Sequence, residues 1–156
     1  MRVDAICTLT DDRFGLPPVR HIPGTGTVAS SNFLQAITAK CPEHTVSSQW
    51  QSNTPYRCGW HLFENDYFWE SHEIWEQVWI RCAANSREKV LLQAIIQLAN
   101  SRLKVLQGKS KSAQKIYDLY LDLTQEAYLR GEQTQDDPLM GLKQQDLLEL
   151  NQSYAL

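Results

Sequence analysis

From Pro55 to Leu150, apolar residues recur with the spacing of α-helices, and no long stretch alternates with the period of two that a strand requires. The helices are predicted at about 55–64, 67–81, 86–107, 111–130 and 142–150. Asn85 and Glu88 have the spacing of a capping box in front of the third helix, and Ser110 is placed to cap the fourth. We therefore predict an all-α fold, an irregular array or bundle of about five helices with an extended N-terminal arm.

Residues 1–53 lack this helical periodicity. The stretch LPPVRHIPGTGTVASSN contains three prolines and two glycines, which is typical of loops and extended segments. One short helix is predicted at about 32–40, ending before a Cys-Pro pair. We divide a single domain into an irregular N-terminal arm, residues 1–53, and a helical domain, residues 54–156. Four apolar side chains predict that the arm packs on the helices: Val19, Ile22, Phe33 and Ile37.

Composition and charge argue against two classes of binding partner, nucleic acids and membranes. The 156 residues include 15 Lys and Arg against 18 Asp and Glu, a net charge of −3, so no basic field is present that would hold nucleic acid through its phosphates. No apolar run reaches the ~18 residues of a membrane-spanning helix, and the first residues do not resemble a secretory signal. The four cysteines form no CxxC pair. We expect a cytoplasmic protein that binds neither nucleic acid nor membranes, with its oligomeric state left open.

The second predicted helix, YFWESHEIWEQVWIR, combines aromatic and ionisable residues. At 3.6 residues per turn one stripe of this helix contains Phe68, His72, Trp75 and Trp79. Glu76 lies beside the stripe and Glu73 one residue further round the helix. The aromatic residues are most simply explained as core filling. His72 and the two glutamates need explanation, because a polar group turned toward a core requires a partner.

The third predicted helix offers amides as partners. Gln93, Gln97 and Asn100 form a row at positions i, i+4 and i+7, and the short connection between the second and third helices predicts antiparallel neighbours. The polar rows of the two helices are therefore predicted to meet. The candidate site consists of His72, Glu73, Glu76, Gln97 and Asn100, with Arg20 or Arg102 as a possible cation.

Two segments of the chain, YRCGWHLFENDYFWESHEIWEQVW and LLQAIIQLANSRLKVLQGKSKSAQKIYDL, resemble the domain of unknown function 309 family. That family has a segment of the type GxxLFNxxxxxEAHExWExxW, followed by one of the type QxLIQxAxAxxK. The resemblance spans about residues 56–127 and implies a small all-helical array without an assigned activity. LPPVRHIPGTG resembles an N-terminal extension found in a bacterial subset. The chain departs from the family pattern at Cys58, Glu64 and Ser71, outside the His72-Glu73-x-x-Glu76 core.

The HEIWE sequence differs from the zinc-protease motif HExxH, because Glu76 stands where the second histidine would be. His72 and Glu76 could hold a metal only with a third ligand from elsewhere, and the ExxH pairs of di-iron bundles are absent. We therefore expect no metal and no cofactor, and name His72 and Glu76 as the ligands if a metal is present. A structural polar network, a small-ligand pocket and a metal site remain as interpretations.

Two further patterns suggest ligands. Cys41–His44 and Cys58–His61 are both CxxH pairs, which could close a structural zinc site. We expect that they do not share a metal, because the family pattern does not require them; Cys58 is expected to be buried, with His44 and His61 facing solvent. The glycines of residues 20–26 could form an anion-binding nest, although a loop packed over the helices explains them equally.

The sequence thus favours a non-catalytic binding or interaction module, built around a His-Glu-Gln/Asn network, whose partner is a small molecule or a protein. The alternative is a small metal-assisted or carboxylate-dependent hydrolase-like enzyme, with Glu73 or Glu76 as base and His72 as ligand or acid. A closed hydrogen-bonded network would favour the first function. An open cleft beside His72 and Glu76 would favour the second.

Overall fold

The computed structural model describes residues 4–130 and 137–150, and within these ranges the chain is all-α, as predicted. The α-helices are α1 (Asp4–Leu9), α2 (Ser31–Thr38), α3 (Thr54–Glu64), α4 (Phe68–Trp79), α5 (Arg87–Leu106), α6 (Ser110–Leu129) and α7 (Gln144–Leu148). Two 3-10 helices span Asp12–Phe14 and Ser47–Ser52. Helices α3 to α7 correspond to the five predicted from the sequence, and α2 to the short helix of the arm. None of the described helices is long and apolar enough to cross a membrane.

Helix α4 packs between α3 and α5, and α6 packs against α5. The core between α3 and α4 is aromatic. The Trp60 and Trp75 rings lie 4.8 Å apart, and the Phe63 and Phe68 rings 5.4 Å apart, both in edge-to-face geometry. The indole N–H of Trp75 donates to the Tyr56 carbonyl at 3.1 Å. Most of the aromatic residues of α3 and α4 are therefore explained by core packing.

Gly59 allows this close packing of α3 and α4. A Cβ atom at this position would overlap the indole ring of Trp75. Because Trp75 is fully buried, its ring has no free space into which to move. A glycine at position 59 is thus a requirement of the α3–α4 interface rather than of the backbone conformation.

The predicted helix caps at Asn85 and Ser110 are wrong by one residue. Ser86 caps α5, since its side chain accepts a hydrogen bond from the Lys89 N–H, while Asn85 adopts a left-handed conformation with φ of 61°. The Glu88 carboxylate instead accepts a hydrogen bond from the Ser47 N–H at 3.3 Å. Ser110 is the first residue of α6. Neighbouring Asn and Ser residues are both good caps, so sequence does not distinguish them.

The N-terminal segment contains helices that the sequence did not predict. Ile6 and Leu9 of α1 are fully buried in the main core, and the Leu9 carbonyl accepts a hydrogen bond from Arg57 of α3. Of the four predicted anchors, Ile37 is buried and Ile22 packs against the core, whereas Val19 is 49% exposed. A helix of six residues is too short to show a periodic pattern, which explains why α1 was missed.

Candidate functional site

Helix α4 brings His72, Glu73 and Glu76 together. His72 Nε2 lies 3.4 Å from Glu73 Oε1 and 3.5 Å from Glu76 Oε1. One ligand atom from each residue can be chosen so that all three lie within 4.8 Å of one another. Among the described residues, this is the group of three His, Cys, Asp or Glu side chains whose geometry could hold a metal ion.

The backbone fixes the orientation of the His72 ring. Nδ1 of His72 lies 2.8 Å from the carbonyl oxygen of Trp69, one helical turn earlier. A carbonyl oxygen can only accept a hydrogen bond, so Nδ1 carries a proton and donates. Nε2 consequently points at the two carboxylates, where it presents either a proton or a lone pair.

The cluster lies at the edge of the buried face of α4, not in its centre. Phe68, Ser71, Trp75 and Val78 are buried in the helix interface. The side chain of His72 is 15% exposed, that of Glu73 38% and that of Glu76 47%. The two carboxylates therefore face solvent, and water as well as small ligands can reach them.

The amides of α5 do not close this cluster. Gln97 and Asn100 are partly buried, but neither forms a hydrogen bond with His72, Glu73 or Glu76 in the described part of the chain. Gln97 and Glu76 instead line opposite sides of one cleft of about 350 Å³. The prediction of a hydrogen-bonded His-Glu-Gln/Asn network is thus not met, because Glu76 and Gln97 border a common cleft without a hydrogen bond between them.

The two candidate cations lie elsewhere. Arg20 pairs with Asp66 at 3.9 Å. Arg102 is buried, donates to the Leu150 carbonyl at 2.7 Å and stacks over the Phe63 ring. Neither guanidinium contacts the carboxylates of the cluster, so the structure does not bring these possible cations together with His72, Glu73 and Glu76.

A second cleft, of about 530 Å³, opens on the other side of the cluster between α2 and α4. Glu73 lines this cleft together with Gln77 and Arg81 of the α4 region and with Gln35 and Thr38 of α2. Helix α4 thus presents Glu73 to one cleft and Glu76 to the other, with His72 contacting both carboxylates.

The profile of the family described as "Domain of unknown function (DUF309)" matches residues 56–116. This stretch, fewer than half of the 156 residues, is similar to that family. It contains most of α3, all of α4 and α5 and the first residues of α6, and so includes the complete HEIWE cluster. Neither the curated proteins nor the solved structures compared with the chain include a significant match.

Glu70, within the matched stretch, is a buried acid that the sequence did not single out. It is fully buried, and Oε2 accepts a hydrogen bond from the backbone N–H of His21 at 2.9 Å. Oε1 is also buried and has no hydrogen-bond partner in the described residues. Burial raises the pKa of Glu70, opposed by the His21 N–H and by the charge of Arg20. No pattern marks this residue, because its partner is 49 positions away in the arm.

The loop at residues 20–26 of the arm packs on α4, and its backbone N–H groups donate to side chains of the protein itself. The N–H of His21 donates to Glu70, and that of Ile22 to the Thr27 hydroxyl at 2.9 Å. The His21 ring packs edge-to-face on Trp69, with ring centroids 4.6 Å apart. The anion-nest interpretation therefore receives no support for an external anion, since the charge contacted by the loop is that of Glu70 itself.

The two CxxH pairs do not form a group of metal ligands among the described residues. Cys58 is buried and His44 is exposed, as expected. His61 is buried rather than facing solvent, and its ring packs against Phe14 with centroids 5.9 Å apart. The arm covers this side of α3, which the sequence of α3 alone does not indicate.

Proposed function

We propose that this protein is a binding module and that its site holds a divalent transition-metal ion between His72, Glu73 and Glu76. The observation that carries the proposal is the spacing of the ligand atoms. Ligands at roughly 2.0–2.1 Å from a tetrahedral zinc ion lie about 3.4 Å apart. The two Nε2–Oε1 distances are 3.4 and 3.5 Å, so an ion can enter with little movement of the side chains.

The hydrogen bond of His72 to Trp69 supports the same proposal. Histidines that bind metals usually donate their other ring N–H to a carbonyl or carboxylate, which fixes the tautomer and the ring plane. The Trp69 carbonyl has this role here. Unless Nε2 is protonated, its lone pair faces two carboxylate oxygens, and a divalent cation between the three atoms removes that repulsion.

The exposure of the glutamates favours a ligand-binding cluster over a purely structural one. A structural network would be buried and fully hydrogen-bonded. Glu73 and Glu76 are 38% and 47% exposed and are not bonded to α5. Three ligands also leave a fourth tetrahedral position open, here toward solvent and the adjoining clefts.

The exposure of the two carboxylates beside two clefts is the specific observation that keeps an enzyme as second candidate. In a metal-assisted hydrolase, an ion held by His72 and one of the glutamates would supply Lewis-acid chemistry and lower the pKa of an attacking water. The other glutamate, Glu73 or Glu76, would accept the proton of this water. The α2–α4 cleft of about 530 Å³ would then receive the substrate.

Metal titration of chelator-treated protein tests the proposal. Zinc, manganese and nickel are titrated separately by calorimetry into the wild type, His72→Ala, Glu73→Gln and Glu76→Gln. We expect one ion per chain, and an affinity at least about tenfold lower in each variant, with the largest loss for His72→Ala. His44→Ala is the matched control, since His44 also lies beside a glutamate, Glu43, but on the exposed surface.

Unchanged affinity in His72→Ala, or no stoichiometric ion in the wild type, would contradict the proposal. Thermal melts of metal-free Glu76→Ala separate this role from a structural one. A structural role predicts a loss of about 1–3 kcal/mol, whereas a metal ligand predicts a stability close to that of the wild type. Metal-dependent ester or phosphoester hydrolysis that His72→Ala abolishes would select the enzyme over the binding module.

A further inference from the structure

The α2–α4 cleft contains an arginine whose charge is not balanced by a nearby acid. Arg81 is partly buried, and its Nη1 donates to the backbone carbonyl of Gln77 at 2.6 Å. That acceptor is neutral, and no carboxylate of the described residues forms an ion pair with the guanidinium. A guanidinium has five N–H donors in a planar fork, so most of the donors of Arg81 remain available to a ligand.

Glu73 is the one acid among the described residues that line the cleft, and it forms no ion pair with Arg81. Burial raises the pKa of the Cys41 thiol, so the sulfur that lines the cleft stays neutral near pH 7. The side chains of Gln35 and Thr38 form no hydrogen bond with other described residues, and both can donate to an anion. Glu73 supplies a carboxylate to this cleft.

The role of Glu73 links this cleft to the proposed metal. A divalent cation held by Glu73 and Glu76 would cancel the charges of both carboxylates, so the cleft would keep the positive charge of Arg81 and gain an ion able to accept an oxygen ligand. We propose that the cleft binds a small molecule that carries a carboxylate or phosphate group, with the anionic oxygens between Arg81 and the metal. This inference rests on the proposed metal site and names the class of ligand that the site accepts.

The size and chemistry of the cleft fit such a ligand. Its volume of about 530 Å³ lies within the usual range of about 300–1,000 Å³ for small-molecule sites. Arginine pairs with carboxylates and phosphates through two parallel hydrogen bonds, and a transition-metal ion with an open position accepts an oxygen of either group. Leu34 and Ala39 add apolar surface for the remainder of the ligand.

Anion titration by NMR tests the inference. Methyl phosphate and acetate are titrated separately into ¹⁵N-labelled protein, with and without one equivalent of zinc. We expect the zinc-loaded protein to bind at least one of the two anions, with shifts at residues of the α2–α4 cleft. Arg81→Ala and removal of zinc should each weaken this binding at least tenfold. Tighter binding of methyl phosphate would indicate a ligand with a phosphate group, and tighter binding of acetate a ligand with a carboxylate group.

Controls separate this inference from the metal proposal. Arg81→Ala should retain zinc with wild-type affinity, and Arg13→Ala, whose arginine is exposed and paired with Asp11, should bind the anion as the wild type does. Arg81→Gln removes the charge but keeps a donor for the Gln77 carbonyl, so it checks that misfolding is not the cause. Anion affinity that is unchanged by Arg81→Ala or by zinc removal would overturn the inference. Failure to bind zinc would overturn the metal proposal instead.

Discussion

The three glutamates of α4 differ in their exposure to solvent although they are close in sequence. Glu73 and Glu76 are reached by solvent, whereas Glu70 is fully buried with one carboxylate oxygen unpartnered. Burying a carboxylate costs free energy unless its oxygens are bonded. The raised pKa of Glu70 expresses this cost, because it shows that the fold favours the neutral acid. Glu70 therefore holds the arm on α4 at the expense of stability.

Glu70→Gln is expected to raise the free energy of unfolding at pH 7 by about 1 kcal/mol, because burying a neutral amide costs less than burying an incompletely bonded carboxylate. The amide oxygen can still accept the His21 N–H, while the charge that opposes burial is absent. Urea denaturation monitored by tryptophan fluorescence measures the change. Glu76→Gln is the control, and without metal it should shift stability by less than about 0.5 kcal/mol, as surface substitutions do. A clear loss of stability in Glu70→Gln would show that the buried charge itself is required.

At the scale of elements, the sequence predicted where α3 to α7 lie but not how α4 is rotated. Apolar residues occur almost all round α4, so several stripes fit the pattern equally well. The structure buries Ser71 and Glu70 and places His72 at the boundary. The clustering of His72 with Glu73 and Glu76 followed from local spacing. The absence of hydrogen bonds to Gln97 and Asn100 depends on how the side chains of α4 and α5 meet, which local spacing does not determine.

Helix α7 and the preceding turn are attached to the main helices by three buried tyrosines. The hydroxyl of Tyr56 donates to the Met140 carbonyl at 2.7 Å, that of Tyr120 to Leu147 at 2.8 Å, and that of Tyr128 to Leu142 at 2.6 Å. Burial raises the pKa of all three hydroxyls above the usual value of 10. Each hydroxyl can donate only while it is protonated.

These tyrosines predict an alkaline loss of stability. Because their pKa values are higher in the folded than in the unfolded chain, the folded chain binds more protons above pH 10. Their stabilisation is therefore complete below about pH 10 and decreases as the pH rises further. Melting temperatures from pH 8 to pH 11 measure the decrease.

Tyr128→Phe provides the comparison for this pH dependence. It should lower the free energy of unfolding by about 0.5–1.5 kcal/mol at pH 8, because the Leu142 carbonyl loses the hydroxyl as a donor and keeps only the Leu139 N–H. Above pH 10 the variant should lose stability less steeply than the wild type, since one titrating group is absent. Equal slopes in the two proteins would contradict the assignment of the alkaline effect to the buried tyrosines.

At the scale of the whole molecule, the N-terminal segment and the helices that follow residue 54 share one hydrophobic core. Ile6 and Leu9 of α1 belong to the same buried cluster as Tyr56 of α3 and Leu147 of α7. The Leu9 side chain also lies next to Gly141. Because these segments share one core, we predict that α1 and the helices beyond residue 54 unfold in a single transition rather than one after the other.

Leu9→Ala tests this continuity. Truncation of a fully buried leucine should lower the free energy of unfolding of the entire chain by about 2–5 kcal/mol. Far-ultraviolet circular dichroism and tryptophan fluorescence should report one coincident transition, at a lower urea concentration than in the wild type. Val28→Ala is the control within the arm, because Val28 is 80% exposed and its truncation should change stability by less than about 0.5 kcal/mol. If Leu9→Ala left the transition of the α3–α6 helices unchanged, α1 would be an independent attachment, and the shared core would not act as one cooperative unit.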